Sequence, residues 1–415
     1  MKTIVLFPTI DLPIPALKGG AIETLITTLI DQNELYGKYR FVVISGWSVE
    51  IAEAQNKYRY TEFINIRSKW SDKLLLFVYK VIKKLTKAKI TPLCLNGVNY
   101  RAFLELKERK FDYLVCEGGF YRDFLTMSKY FGKNKMWLHL HSEFVPNKYI
   151  EQSFSTYIAI SDFIKDRWEK RIVHKSTPIY VLKNCIDKER FLKNRTSIDV
   201  RVKFSIPTDT YLVVYVGRII PIKGVEQLIN SFLDVRIPQK HLMIIGSTNF
   251  GGSQISQYEK RIKRLIDQNK GLITYTGFVH NDYLSAYLSS ANLIVMPSLC
   301  QEAAGLVAIE ALAAGRDFLV TVSGGVGEYA RDGYCYKITK DEYFNQTIAT
   351  DINNQMVENT DWTLFEKKLS NLMEDIATGK LSKLESTVDY LDEFNCKQYY
   401  LSFDKIVQQI EDEKK

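Results

Sequence analysis

The chain has 415 residues, 46% of them hydrophobic and 25% charged, and a formal charge of +8. That length exceeds one ordinary core and calls for two domains in a globular, water-soluble protein. The positive balance favours anionic ligands or an anionic surface, yet it is milder than that of a dedicated nucleic-acid binder. No zinc-finger or RNP-type signature occurs, so no nucleic-acid partner is expected. The six cysteines lack CxxC spacing and read as reduced thiols. The N-terminal apolar run is too short for a signal peptide, and no run approaches a membrane span.

Thr3 to Phe7 reads as a buried strand. Lys18-Gly19-Gly20-Ala21-Ile22-Glu23 follows, then a helix with Ile22, Leu25, Ile26 and Leu29 on one face. Paired glycines at a helix start let backbone approach a phosphate or sugar closely, and an ordinary tight turn uses them equally. Phe41 to Ile44, Phe63 to Ile66, Pro92 to Leu95 and Tyr113 to Cys116 alternate with helical stretches. That is the βαβ rhythm of a parallel sheet with covered faces. Residues 69–89 place Trp70, Leu74, Phe77, Val78, Val81 and Leu85 on one helical face, with Lys73, Lys80, Lys83, Lys84 and Lys87 mostly off it. Such a basic amphipathic helix suits either an anionic lipid surface or packing on its own sheet.

In Lys135 to Glu143, alternation sends Trp137, His139 and His141 the same way. His141 falls at the strand's C-terminal end, where open α/β sheets bind ligands. His139, one pleat deeper, suits the core. Tyr157 to Ser161 is a further strand, with Ser161 placed to cap the next helix. Ile179 to Lys183 leads to Asn184-Cys185-Ile186-Asp187 and a polar connector, residues 188–205.

The pattern then restarts. Tyr211 to Val216 is a strand, and Gly217-Arg218-Ile219-Ile220-Pro221-Ile222-Lys223-Gly224 opens a helix. Arg218 offers a planar fork for phosphate oxygens, and Lys223 a compact charge. Leu242 to Ile245, Ile273 to Val279 and Leu293 to Met296 are strands, and residues 249–253 a mobile loop. Pro297 then begins a small-residue loop and an apolar helix ending at Gly315, a C-cap. Backbone amides at Ala303, Ala304 and Gly305 would open that helix as an anion site. Glu310 lies amid Leu306 to Leu312, where an unsatisfied carboxylate costs roughly several kcal/mol. It needs either ligand hydroxyls or a buried Arg or Lys. Glu302 and Glu310, bracketing a phosphate-ready helix start, suggest a sugar nucleotide. The tail is helical, with Phe394, Tyr399, Tyr400, Phe403, Ile406 and Val407 on its apolar side.

The spacing Glu302-x7-Glu310 behind a Pro-Ser strand end, followed by Gly324-Gly325 and Glu328, resembles the retaining glycosyltransferase family 4, within the group 1 glycosyl transferases. The stretch from Gly217 to Gly224 is a second match. The resemblance implies the α/β GT-B fold: two Rossmann-like α/β/α domains facing each other across a cleft. Residues 1–187 would bind the acceptor and 188–390 the donor, with a helix in 391–415 returning to the N-terminal domain. The implied reaction moves a hexosyl or N-acetylhexosaminyl group, with retention, from a nucleotide-diphosphate sugar to an acceptor hydroxyl. UDP-sugar is the first choice of donor. A glycan, a lipid-linked glycan or a protein would accept it, on the cytoplasmic side and in peripheral contact with an anionic membrane.

The resemblance also assigns residues. His141, Arg218, Lys223 and Glu302 are implied as catalytic. Gly19, Gly20, Gly217, Phe278, Val279, Ala303, Ala304, Gly305, Leu306 and Glu310 are implied as donor-binding. Glu302 would bond sugar hydroxyls, Glu310 both ribose hydroxyls, and His141 would orient the sugar. Gly19-Gly20 would face the diphosphate and Phe278 with Val279 the base, while Glu143 could face the acceptor. No metal or other cofactor is expected, since Asp-x-Asp is missing and Arg218 with Lys223 supplies cationic charge. Cys185 stands where the family has glycine in Asn-Gly-Val-Asp, and a left-handed turn there would be strained. A nucleotide-sugar epimerase of similar fold and a non-catalytic partner of another transferase are the alternatives. A dehydrogenase is poorly supported, because no Gly-x-Gly-x-x-Gly follows the first strand.

Overall fold

The computed structural model describes residues 1–17, 19–86, 93–119, 121–248, 255–339, 360–387 and 389–414, with backbone only for Lys83, Leu85 and Thr86. Two compact units result, Met1–Asn184 with Cys396–Lys415, and Cys185–Asn395.

The first unit is built on seven parallel strands in the order β3-β2-β1-β4-β5-β6-β7. They are β1 (Lys2–Phe7), β2 (Tyr39–Gly46), β3 (Thr61–Ile66), β4 (Tyr113–Cys116), β5 (Met136–Leu140), β6 (Thr156–Ala159) and β7 (Ile179–Val181). Central strands such as Ile4-Val5-Leu6 and Leu114-Val115 are buried on both faces, as a parallel sheet covered by helices requires. Helix Ala21–Tyr36 lays Leu25, Ile26, Leu29 and Ile30 on the sheet and stops at Gly37, whose φ of 60° is left-handed. The tail helix Cys396–Asp412 belongs to this unit. Tyr400 stacks on Tyr36 at 4.8 Å between ring centroids and donates to Asn33 Oδ1 at 3.0 Å. Phe403 meets the rings of Tyr39 and Phe41.

The second unit has six parallel strands in the order β10-β9-β8-β11-β12-β13. They are β8 (Tyr211–Val216), β9 (Lys240–Ile245), β10 (Ile273–Gly277), β11 (Leu293–Met296), β12 (Asp317–Val322) and β13 (Tyr336–Thr339). Val213, Leu242, Ile244, Leu293, Val295 and Leu319 form its core with Leu228, Ile229 and Phe232 of helix Val225–Asp234. Strand order reverses between β1 and β4 in the first unit and between β8 and β11 in the second. Loops diverge at such points, leaving a crevice at the strands' C-terminal ends.

Several expectations are corrected. Leu93–Leu95 is a 3-10 turn, not a strand, because Asn96 follows as the cap of helix Gly97–Lys107, and Pro92 lies outside the described residues. The connector 188–205 carries two short helices, Lys188–Asn194 and Val200–Lys203, capped by Asp187 and Asp199. Cys185 has no left-handed backbone, so its turn is not strained. The loop expected at 249–253 lies outside the described residues, as do Lys18 and Lys87.

Of the two readings of helix Trp70–Thr86, packing of its apolar stripe on the sheet is not met. Asp72 is buried and Leu75, Leu76, Tyr79 and Ile82 are half-buried, while Trp70, Leu74, Phe77 and Val81 are exposed. Among the described residues no helix is long and apolar enough to cross a membrane.

Candidate active site

In the second unit the loops after β8 and β11 meet at the strand-order reversal. Tyr215 Oη donates to the Arg218 carbonyl at 2.9 Å, and Ile219 N to Ser247 O at 3.2 Å, which fixes the Gly217-Arg218 turn. Pro221–Lys223 makes one 3-10 turn, and Gly224, with φ 70°, starts helix Val225–Asp234. Only glycine fits there, since a Cβ would stand 2.1 Å from the Pro297 carbonyl oxygen. This close approach brings Lys223 against the loop after β11.

Lys223 Nζ pairs with Glu302 Oε1, and Ser298 Oγ donates to the same oxygen at 2.6 Å. Burial alone would raise the Glu302 carboxyl, but Lys223, Ser298 and the charge of Arg218 outweigh it and hold the group below its usual range. Arg218 is itself exposed, with its charge felt at Glu302 and at the Cys300 thiol. The loop after β12 clamps the Glu302 backbone. Glu302 N donates to Ser323 O at 3.1 Å and Gly325 N to Glu302 O at 2.7 Å. A Cβ on Gly324 would lie 2.4 Å from Glu302 O, so this Gly-Gly pair serves a backbone contact.

The helix after this loop runs from Leu306 to Ala314, starting later than expected. Gly305, with φ 138°, is its N-cap without any side-chain cap, so Ala303 and Ala304 lie in the loop. The first-turn amides of Leu306 and Val307 have no intrahelical acceptor. Gly315 ends the helix as expected, with φ 64°. Glu310 is half-buried and has no hydrogen bond or ion pair among the described residues, so the buried Arg or Lys partner is not what satisfies it. Burial pushes its carboxyl up to about 7. Phe278 and Val279 follow the C-terminal end of β10, Phe278 exposed and Val279 half-buried.

In the first unit, Gly19 is buried and Gly20, with φ 99°, caps helix Ala21–Tyr36. A Cβ on Gly20 would lie 2.1 Å from Glu23 Oε2. The buried Glu23 carboxyl, raised by burial, therefore sits over the helix start where a diphosphate was expected.

His139 is buried in β5 and His141 half-buried just past its end. They share a partner that sequence reasoning missed. Glu117 Oε2 lies 2.8 Å from His139 Nδ1 and 2.7 Å from His141 Nε2. Burial opposes ionisation of Glu117, yet the two imidazoles hold its carboxyl at about 2. Burial and then the neighbouring His139 push His141 down to about 4, against the pull of Glu117. Near neutrality Glu117 is thus an anion that only accepts, so both facing ring nitrogens carry hydrogen. His141 keeps Nδ1 as a free-lone-pair acceptor. The buried His139 Nε2 has no hydrogen-bond partner among the described residues. A signal was present in the sequence: Glu117-Gly118-Gly119 directly follows β4 at the reversal.

The ligand atoms of Glu117, His139 and His141 lie within 4.8 Å of one another, a set that could hold a metal ion. Their contacts, however, are hydrogen-bond contacts, shorter than the ~3.3 Å that tetrahedral ligands at ~2.0 Å from zinc keep between themselves. Glu143 is paired with Arg171 at 2.9 Å and Arg167 at 3.3 Å, which occupies the carboxylate assigned to the acceptor.

Residues 197–375 match the model of the family described as glycosyl transferases group 1. Over this stretch, less than half of its length, the chain is similar to that family. The match takes in Arg218, Lys223, Glu302 and Glu310 together. The lipopolysaccharide 1,2-N-acetylglucosaminetransferase of Salmonella typhimurium is 25% identical over 239 residues, 57% of this chain and 61% of that one. An uncharacterized glycosyltransferase of Methanocaldococcus jannaschii is 33% identical over 134 residues, 32% of either chain. The chain thus spans less than two thirds of these relatives. The crystal structure of Anabaena HepE in complex with UDP and glucose superposes with a TM-score of 0.63 at 15% identity, covering 98% of this chain and 99% of that one. Such a likeness carries the fold, the two-unit α/β architecture called GT-B.

Proposed function

We propose that this protein is a retaining group 1 glycosyltransferase that moves a hexosyl or N-acetylhexosaminyl group from a UDP-sugar to an acceptor hydroxyl. The observation that carries the reading is Glu310, a half-buried carboxylate without a partner among the described residues, set in a helix whose N-terminus has no side-chain cap. Ribose hydroxyls would satisfy it, and phosphate oxygens would suit the helix start. Arg218 and Lys223 would take up the charge of the departing nucleoside diphosphate, the place where a fixed cation lowers the barrier most. Glu302, kept ionised by Lys223, would accept from sugar hydroxyls. For His141, the role implied by the resemblance is to orient the sugar, and the Glu117 bond suits it by fixing the ring.

In the mechanism we favour, the bond from the anomeric carbon to the phosphate oxygen breaks as the acceptor oxygen attacks the same face. The leaving phosphate takes the acceptor's proton. The UDP preference draws on HepE, solved with UDP-glucose. The Salmonella relative is named for lipopolysaccharide, and so a surface or lipid-linked glycan is our choice of acceptor.

A thermal-shift screen over UDP-, GDP- and ADP-sugars tests the donor, since a bound ligand raises the melting point by mass action. Release of UDP in the presence of a glycan acceptor, with product anomeric configuration read by NMR, tests the reaction. A non-catalytic partner would release none. An epimerase would convert the donor with no acceptor present.

A further inference from the structure

We propose that helix Trp70–Thr86 is the docking surface of this protein for an anionic lipid bilayer. One side of the helix is committed to the protein. Asp72 is 3% exposed and bonds both terminal nitrogens of Arg101, at 3.0 and 2.7 Å, while accepting from Lys69 N at 2.7 Å. A Cβ on Gly97 would stand 2.2 Å from Asp72 Oδ1, so the neighbouring helix is fitted to this carboxylate. Asp72 thereby sets the helix's rotation, and Leu75, Leu76, Tyr79 and Ile82 follow it inward.

The other side is exposed and has no partner among the described residues. Trp70 is 81% exposed, Leu74 53%, Phe77 63% and Val81 37%. Their spacing of four, three and four residues puts them in one stripe, within roughly 60° of arc at 100° per residue. Lys73, Lys80 and Lys84 are exposed and occupy the adjoining arc, with exposed Lys69 just before the helix. Asp72 is the only acidic residue from Trp70 to Thr86, and it is buried and paired, so the exposed face carries apolar and cationic groups alone. Nearby, Trp47 is also exposed, with Arg67 over its ring.

An exposed apolar patch rimmed by charge marks an interaction surface. The chemistry selects the occupant. A second copy would bring two lysine rows together, and like charges across an interface disfavour it. Nucleic-acid phosphates would meet the lysines but leave Leu74 and Val81 in water. A bilayer with anionic headgroups satisfies both halves: acyl boundary for the stripe, with tryptophan at the interface, and headgroups for the lysines. The proposal does not depend on the donor site.

The test is flotation of the full chain with phosphatidylcholine vesicles, with and without one-third phosphatidylglycerol. Expected is capture on the anionic vesicles alone, weakened by salt. Replacing Lys73, Lys80 and Lys84 with Gln should weaken binding by roughly a hundredfold, at about fivefold per lysine. Trp70→Ala with Phe77→Ala should weaken it by about tenfold or more. Both variants change exposed side chains and should melt as the parent does. No capture, equal capture on neutral vesicles, or capture unaltered in a variant of parental stability overturns the proposal. So does a dimer, seen by sedimentation equilibrium, that the Trp70 and Phe77 changes dissolve.

Discussion

Lys223 and Glu302 are each other's counter-ion, held together by the approach of Gly224 to Pro297. The ammonium is therefore placed and charged before any donor arrives, and Glu302 is kept anionic by it. Removing the ammonium takes away the charge proposed to face the phosphate and releases Glu302 to the opposing effect of burial. Lys223→Ala should lower kcat/KM by roughly 100-fold or more, as loss of one preorganised donor does. Its activity should also fall at mildly acid pH, where the freed carboxyl begins to hold a proton. If side chains supply the cations, as proposed, chelation with EDTA should leave the parent's rate unchanged. Near-normal turnover in Lys223→Ala, or loss with EDTA, contradicts the assignment.

Glu310 makes a prediction with a definite sign. Its folded carboxyl sits at about 7, above the ordinary glutamate value. A raised carboxyl favours folding while protonated, and that contribution is lost as pH rises through 7. In the ligand-free protein, Glu310→Gln should therefore melt above the parent at pH 8, with the gap closing toward pH 5. Activity should move the opposite way, falling roughly 100-fold or more if Glu310 grips the ribose. Donor binding should favour the ionised form and release protons near pH 6.5, as calorimetry in buffers of different ionisation enthalpy would show. Glu310→Gln should abolish that release. A variant destabilised at pH 8, or binding without proton release, would count against a vacant ribose site.

Gly224 can be tested through packing alone. Alanine there would need a left-handed backbone and would place its Cβ 2.1 Å from the Pro297 oxygen, an atom of fixed backbone. Gly224→Ala should lower the melting temperature and displace Lys223, so activity should fall further than stability explains. Gly315→Ala offers the control. Its φ of 64° is equally left-handed, but nothing lies within 4 Å of the added carbon. It should cost stability and spare activity. Equal effects on activity would show that the Pro297 contact does not position Lys223.

The strands were legible because their apolar runs are continuous. Tyr211–Val216 and Leu293–Met296 fall where the sequence puts them. Lys223, Glu302 and Glu310 were singled out by the family resemblance, and the structure brings the first two into contact. What escaped depends on contacts distant in sequence. Periodicity finds the apolar stripe of helix 70–86 but cannot say that Asp72, through Arg101, turns it outward. The helix start moved from Ala303 to Leu306 because the backbone of Gly305 leaves the helical region. Glu117 was missed because its partners lie on the neighbouring strand, 22 and 24 residues on.

Glu117 yields the remaining prediction. It touches both histidines through one oxygen, so it fixes the ring of His141 and directs Nδ1 away from itself. If His141 orients the sugar, Glu117 acts only through it, and the two losses should not add. His141→Ala should lower kcat by roughly 100-fold, the low end of the range for a positioned imidazole. Glu117→Ala should cost somewhat less, and the double variant no more than His141→Ala alone. Glu117→Gln keeps a carbonyl oxygen able to accept from both rings and should recover much of the rate. It removes the anion that pulls the His141 value upward, so any acid limb due to His141 should shift to lower pH. Additive losses in the double variant, at unchanged melting temperature, would show that Glu117 acts independently of His141.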